Sequence, residues 1–341
     1  MKSKTSFCNG TAVRKDLTRF GPLWVLYTLC LLLGMALIYV DNDNKFWFAN
    51  NIGELIHYSA IINIIYAPLV SILLFGDLYN TRMCNQLHAM PIKRRGIFTT
   101  NIVTGLVFSV LPTAIFCGAS IPLLMQTCVV DAWQIGLWTF LGMNLSYICF
   151  FGIAVFSAMC AGKRLGMVAV FAIINFLSML IYWLATTVYE PLLPGVMFSD
   201  YWFTLFCPLS SIMGDTYFEM EISQSTAAFG GFLPDAWCYL FVCAGIGLVF
   251  TLLSWLLYRR RHLETAGDFI GFRPMGIFFL LAYTLAAGAL LYSFGELFGL
   301  YKDYGFLAVG ILIGFFLYIK KFKIDEKTYA QIVKDLKDRE Q

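Results

Sequence analysis

The chain has 341 residues, of which 59% are hydrophobic and 13% charged, with a mean hydropathy of +0.72 and a formal net charge of +3. Soluble domains carry roughly 25% charged residues, so an ordinary water-soluble globule is excluded. Apolar stretches of about 20 residues suffice to cross a bilayer, and the composition predicts an all-α, polytopic helical membrane protein.

Taken in chain order, Thr11–Phe20, TAVRKDLTRF, fits either a basic interfacial helix ahead of the first span or a plain positively charged flank. Spans are predicted over Phe20–Val40, Glu54–Phe75, Ile97–Met125, Trp133–Cys160, Gly166–Tyr189, Trp237–Tyr258, Met275–Phe294 and Gly305–Ile319, eight in all. The first is too long for the h-region of a cleavable signal peptide. The third and fourth exceed a bilayer's thickness, which implies tilt or local irregularity.

Between the second and third spans lies Leu78–Gly96, LYNTRMCNQLHAMPIKRRG, too polar to cross a membrane. Tyr79, Met83, Leu87 and Met90 recur at helical spacing and share one face, while Asn80, Arg82, Asn85 and Gln86 fall largely on the remaining surface. Pro91 disfavours helix at Met90. The spacing predicts a short amphipathic helix over 79–90, tied at both ends to spans and suited to receive a push from a soluble partner.

Charge orients the spans. Of the 24 basic residues, 22 fall on the side shared by the two termini, leaving Lys45 and Lys302 opposite. The positive-inside rule then puts both termini in the cytosol. The outer segment Glu190–Ala236 holds Glu190, Asp200, Asp215, Glu219, Glu221 and Asp235 without any Lys or Arg, beside Tyr201, Trp202, Phe203, Tyr217 and Phe218. It is read either as a loop from which basic residues are excluded or as a surface whose negative field favours cationic amphiphiles. The residues after Ile319 form a charged, solvated tail.

Chemical signatures are few. The ten cysteines include no CxxC and no Cys/His set at zinc-ligand spacing, so neither a metal site nor a catalytic site is predicted; a Cys128–Cys207 disulfide on the outside stays open. No GxSxG, HExxH or P-loop occurs, the nearest string being Ala161-Gly162-Lys163-Arg164. Glu54, Asp77, Asp131 and Glu296 lie near span ends, where an edge carboxylate facing water is ordinary. Charge at membrane depth, which marks ion-coupled transport, is nearly missing. Asn63, Asn101, Asn144, Ser146, Asn175 and Ser178 fall within spans, where such groups hydrogen-bond between helices or line a substrate path; Asn63, Asn175 and Ser178 are the path candidates. Gly310 and Gly314 form a GxxxG suited to close helix approach.

In this order the motifs resemble the permease subunits of type-2 ABC exporters. Lys15-Asp16-Leu17-Thr18-Arg19-Phe20 is similar to the elbow helix leading into the first span. Asn80–Arg95, NTRMCNQLHAMPIKRR, is similar to the coupling helix and its trailing turn. Tyr258–Gly267, YRRRHLETAG, resembles a post-span motif of Gram-positive bacterial members associated with envelope stress and peptide resistance. The resemblance implies a multi-pass protein of the bacterial cytoplasmic membrane, paired with a second permease, identical or related, and with a separate ATP-binding subunit. Tyr79, Asn80, Arg82, Met83, Asn85, Gln86, Leu87 and Met90 become the ATPase-coupling residues. ATP and Mg belong on the partner ATPase; this chain binds no cofactor, is not itself an enzyme, contacts membrane lipid and has no nucleic-acid partner.

The corresponding division of the chain is a lead and elbow over 1–19, a six-span core over 20–258, two additional spans with their linker over 259–319, and the tail 320–341. The implied cargo is an amphipathic, membrane-active compound such as a peptide antibiotic or a lipid-like molecule. The competing classes are a sensory or scaffold membrane protein without transport activity, and an ion-coupled secondary transporter.

Overall fold

The computed structural model describes residues 10–41, 51–80, 82, 94–126, 131–192, 208, 217–222, 227–260, 275–297 and 305–317. It is almost wholly helical: α1 Gly10–Arg19, α2 Gly21–Asp41, α3 Glu54–Leu74, α4 Arg94–Gln126, α5 Ala132–Cys160, α6 Arg164–Leu192, α7 Pro234–Arg260, α8 Met275–Leu297 and α9 Gly305–Leu317. Short 3-10 turns at Asn51–Gly53 and Gly76–Tyr79 flank α3. Among the described residues, six helices, α2 to α7, are long and apolar enough to cross a membrane. In the two C-terminal helices the described apolar stretches are Leu280–Tyr292 and Gly305–Leu317, shorter than a full span.

The all-α expectation needs one correction. Within Glu190–Ala236, β1 (Phe218–Ile222) and β2 (Ala227–Phe232) pair antiparallel, with a register irregularity at Glu219/Met220. Phe218, Met220 and Ile222 alternate with Glu219 and Glu221, the period of a half-buried strand, and that alternation produces the hairpin.

The described helices form two compact units. One holds α1 to α5, α6 as far as Ala172, the hairpin and α7; the other holds α6 from Ile173, α8 and α9. In the first unit α5 is the hub: 72% of its apolar window is buried, against 28% in α2 and α7. It contacts α7, α3 and α4. Helix directions follow from paired residues. Gly142 meets Ile56 and Ser146 meets Asn63, so α3 runs parallel to α5. Gly152 meets Gly247 and Phe156 meets Phe250 edge-on, so α7 does too. Tyr147 donates to the carbonyl of Gly105 and Cys117 to that of Gly136, so α4 runs antiparallel.

This arrangement sorts charge by end. The α1/α2 junction, the starts of α4 and α6 and the ends of α3, α5 and α7 share one end, which carries Arg14, Lys15, Arg19, Arg82, Arg94, Arg95, Lys163, Arg164, Arg259 and Arg260. Asp41, Glu54, Asp131, Glu219, Glu221 and Asp235 belong to the opposite, hairpin end. Among the described residues of this unit no Lys or Arg lies there.

The hairpin is fastened to the bundle by aromatics. Trp237 donates its indole N–H to the Tyr217 carbonyl at 3.1 Å, and Trp237 meets Trp138 edge-on at 5.1 Å. Tyr217 also lies 4.8 Å from the His57 ring. In the second unit the GxxxG glycines seat α9 against α8: a Cβ at Gly310 would come within 2.7 Å of the Ala287 carbonyl oxygen, and one at Gly314 within 3.0 Å of the Thr284 Cα.

Candidate coupling site at the basic end

The site begins with α1. Ala12, Val13, Asp16, Leu17 and Phe20 are half-buried, while Thr11, Arg14, Lys15, Thr18 and Arg19 are exposed, the one-sided pattern of an amphipathic helix. Its packed face lies on α4. The chain turns at Phe20, and Trp24 ties the turn down by donating its indole N–H to the Leu17 carbonyl at 3.2 Å. The segment is thus an amphipathic helix, the form that the first of the two readings of Thr11–Phe20 requires.

The end of α3 is locked next. Asn101 donates its side-chain amide to the Leu74 carbonyl at 2.8 Å, satisfying one of the orphan acceptors of a helix C-terminus. Phe75 packs on Phe98 at 5.9 Å, and Phe98 on Tyr258 at 5.4 Å, joining the ends of α3 and α7 to the start of α4. The turn Gly76–Tyr79 follows, with Leu78 buried and Tyr79 half-buried.

The predicted helix over 79–90 is therefore corrected at its start. Tyr79 closes a 3-10 turn, and Asn80 is extended, with φ −124° and ψ 111°. The Asn80 side-chain oxygen accepts the backbone N–H of Arg82 at 3.1 Å. An extended residue whose side chain accepts an amide two positions on has the geometry of a helix N-cap. Asn80 thus serves the backbone of its own segment, although the sequence suggests a partner contact. Asn80 and Arg82 are both exposed. Met83, Asn85, Gln86, Leu87 and Met90 lie outside the described residues.

Asp16 and Asp77 converge electrostatically with Arg19 between α1 and this turn. Burial raises the Asp77 carboxyl above its ordinary value of 3.8, and Arg19 pulls it part of the way back. Burial likewise raises Asp16; Arg19 and Lys15 oppose the rise and Asp77 adds to it. A raised folded-state value means that the native state holds the proton more tightly than the unfolded chain. The stabilising contribution is then fully present below 3.8 and is lost as pH rises through the raised value. Asp77→Asn, which keeps the shape without the charge, is expected to melt a few degrees above the wild-type protein at pH 8. The two should converge below the ordinary aspartate value, and a melting series across pH in detergent checks this.

The path candidates fare differently. Asn63 is fully buried: its oxygen accepts from the Tyr27 hydroxyl at 2.8 Å and its amide donates to Ser146 at 3.1 Å. It joins α2, α3 and α5 through these bonds, as the packing reading of the in-span polar residues expects. Asn144 does the same between α4 and α5, accepting from Ser109 and donating to Thr113. Asn175 is buried within α6, and the Ser178 side chain lies outside the described residues. Cys128 and Cys207 also fall outside them. Among the described residues no group of His, Cys, Asp and Glu could hold a metal ion.

Sequence reasoning missed Trp255, over which Arg95 and Arg259 are both set, at 5.8 and 4.9 Å from the ring centroid. The signal available was an aromatic four residues before a basic run at a span end, the usual composition of a membrane interface. No protein-family model matches this chain, and no curated protein or solved structure matches it either.

Proposed function

We propose that this chain is the membrane-spanning permease subunit of an ABC transporter, with its basic end in the bacterial cytosol and its energy supplied by a separate ATP-binding subunit. The observation that carries the reading is the linkage at the basic end. The turn Gly76–Tyr79 is continuous with α3, and Asp77 interacts electrostatically with Arg19 on α1. The start of α4 is pinned to α3 through Asn101. A force applied to the segment from Asn80 onward is delivered to several helices at once, which a transmission element requires. In this reading the residues after Asn80 rest in a cleft of the ATPase, a second permease completes the path, and ATP with Mg sits on the partner.

The proposed cargo is an amphipathic, membrane-active compound, with peptide antibiotics first among the candidates. Between their ends, α2, α3, α4, α5 and α7 carry no Asp, Glu, Lys or Arg. An unpaired charge crossing such a bundle would meet a desolvation cost of several kcal/mol or more. An amphiphile can keep its apolar part against the helices.

The experiment is reconstitution of the chain in liposomes with the ATP-binding subunit that co-purifies with it, with hydrolysis followed against cationic peptides, lipids, sugars and ions. Amphiphiles are expected to stimulate hydrolysis. Arg82→Glu, or Gln86 replaced by tryptophan, should weaken association or stimulation by about tenfold, the scale of one well-placed interfacial contact. Association without any stimulated turnover would favour a scaffold or sensor. Full association and transport in both variants would remove 79–90 as the transmission element.

A further inference from the structure

We propose that the Arg95–Trp255–Arg259 cluster is a binding site for the phosphate headgroup of an anionic phospholipid. Arg95 lies in the first turn of α4 and Arg259 in the last turn of α7, both exposed, and their guanidinium carbons stand 5.8 and 4.9 Å from the centroid of the same half-buried indole. Two helices thus bring like charges over one ring. The cations that act on Asp16 and Asp77 are Arg19 and Lys15, not Arg95 or Arg259. A phosphate diester matches the donor geometry of a guanidinium group, and two such groups beside one indole give an anion a choice of charge-assisted donors.

The surface below the cluster selects a lipid over a free anion. At 100° per residue, Leu248, Leu252, Trp255 and Arg259 lie within one narrow stripe of α7. Leu248 and Leu252 are 57% and 64% exposed, so the stripe faces outward. Read from the membrane interior to its edge, it presents aliphatic side chains, then an indole, then a guanidinium. A phospholipid has the same order: acyl chain, glycerol interface, phosphate. Tryptophan prefers that interfacial level, and each basic side chain near an anionic surface adds attraction. The site is independent of any transport activity.

The test uses the full-length chain purified in detergent, with native mass spectrometry and thermal shift measured against phosphatidylglycerol, phosphatidylcholine and inorganic phosphate. Phosphatidylglycerol is expected to be retained preferentially and to raise the melting temperature. The double variant Arg95→Gln/Arg259→Gln should weaken its retention by about tenfold or more, while Arg95→Lys/Arg259→Lys keeps most of it. Brominated phosphatidylglycerol should quench the wild-type protein more than Trp255→Phe, a readout that holds even if the glutamine variant fails to fold. Equal retention by the wild-type and glutamine variants would overturn the proposal, as would phosphatidylcholine held as tightly as phosphatidylglycerol. A shift from inorganic phosphate as large as that from the lipid would replace it with a free-anion site.

Discussion

Gly247→Leu is expected to destabilise the folded bundle strongly, while Gly245→Leu, two residues earlier on the same helix, leaves it intact. A side chain at Gly247 would collide with the Ile148 carbonyl oxygen and come within 2.6 Å of the Cys149 Cα, and one at Gly152 would strike the Gly247 carbonyl oxygen. The colliding atoms are backbone, so no rotamer change relieves the contact, and α5 and α7 would have to separate. Because α5 is the hub, separation also loosens its packing on α3 and α4. Overpacking a protein interior typically costs about 1–3 kcal/mol; with backbone on both sides the loss should reach or pass the top of that range. A Cβ at Gly245 meets nothing within 4 Å, and leucine is the better helix former, so that variant should match or exceed the wild-type protein. Size-exclusion profiles and thermal unfolding in detergent separate the two. Equal stability of both variants would show that the α5–α7 crossing is not the close contact described.

The contrast between these glycines marks what the sequence could and could not reveal. GxxxG at Gly310 and Gly314 is a local spacing and was readable as a site of close helix approach, but its seat against α8 is seen only in the fold. Gly152 and Gly247 belong to different helices far apart in the chain, and nothing local pairs them. The same limit hid the role of α5. Its peak hydropathy of 1.7 equals that of α3, because lipid and protein interior reward the same residues and composition cannot tell a central helix from a peripheral one. The charge sorting was legible because it depends only on alternation of spans, and the parallel run of α3, α5 and α7 gives it a geometric basis. The hairpin was legible in principle from the alternation at Phe218–Ile222, but its acidic and aromatic surroundings resemble an outer loop. At the basic end the spacing of Tyr79, Met83, Leu87 and Met90 suggested helix from Tyr79 onward, whereas Tyr79 closes the turn after α3 and Asn80 is extended.

Asn63 offers the sharpest separation of packing from function. Asn63→Leu, nearly equal in size, is expected to destabilise the bundle by about 2 kcal/mol. It removes both interhelical hydrogen bonds and leaves the fully buried Tyr27 hydroxyl without its acceptor. An orphaned buried donor costs about 1–3 kcal/mol, while interhelical hydrogen bonds in bilayers average about 0.6 kcal/mol each, so the orphan dominates. Ser146 suffers less, since its hydroxyl also donates to the Met143 carbonyl at 2.8 Å. Adding Tyr27→Phe removes the orphaned hydroxyl while keeping the ring stacked on Tyr66, now 4.0 Å away and nearly parallel. The double variant should therefore recover about half of the loss, a coupling that a double-mutant cycle measures directly. Denaturant titration in micelles supplies the stabilities, and transport by the reconstituted protein supplies the second readout. Stability lost in Asn63→Leu and largely regained in the double variant, with transport following stability, establishes Asn63 as a tie between α2, α3 and α5. Unchanged stability with abolished transport would instead return it to the substrate path.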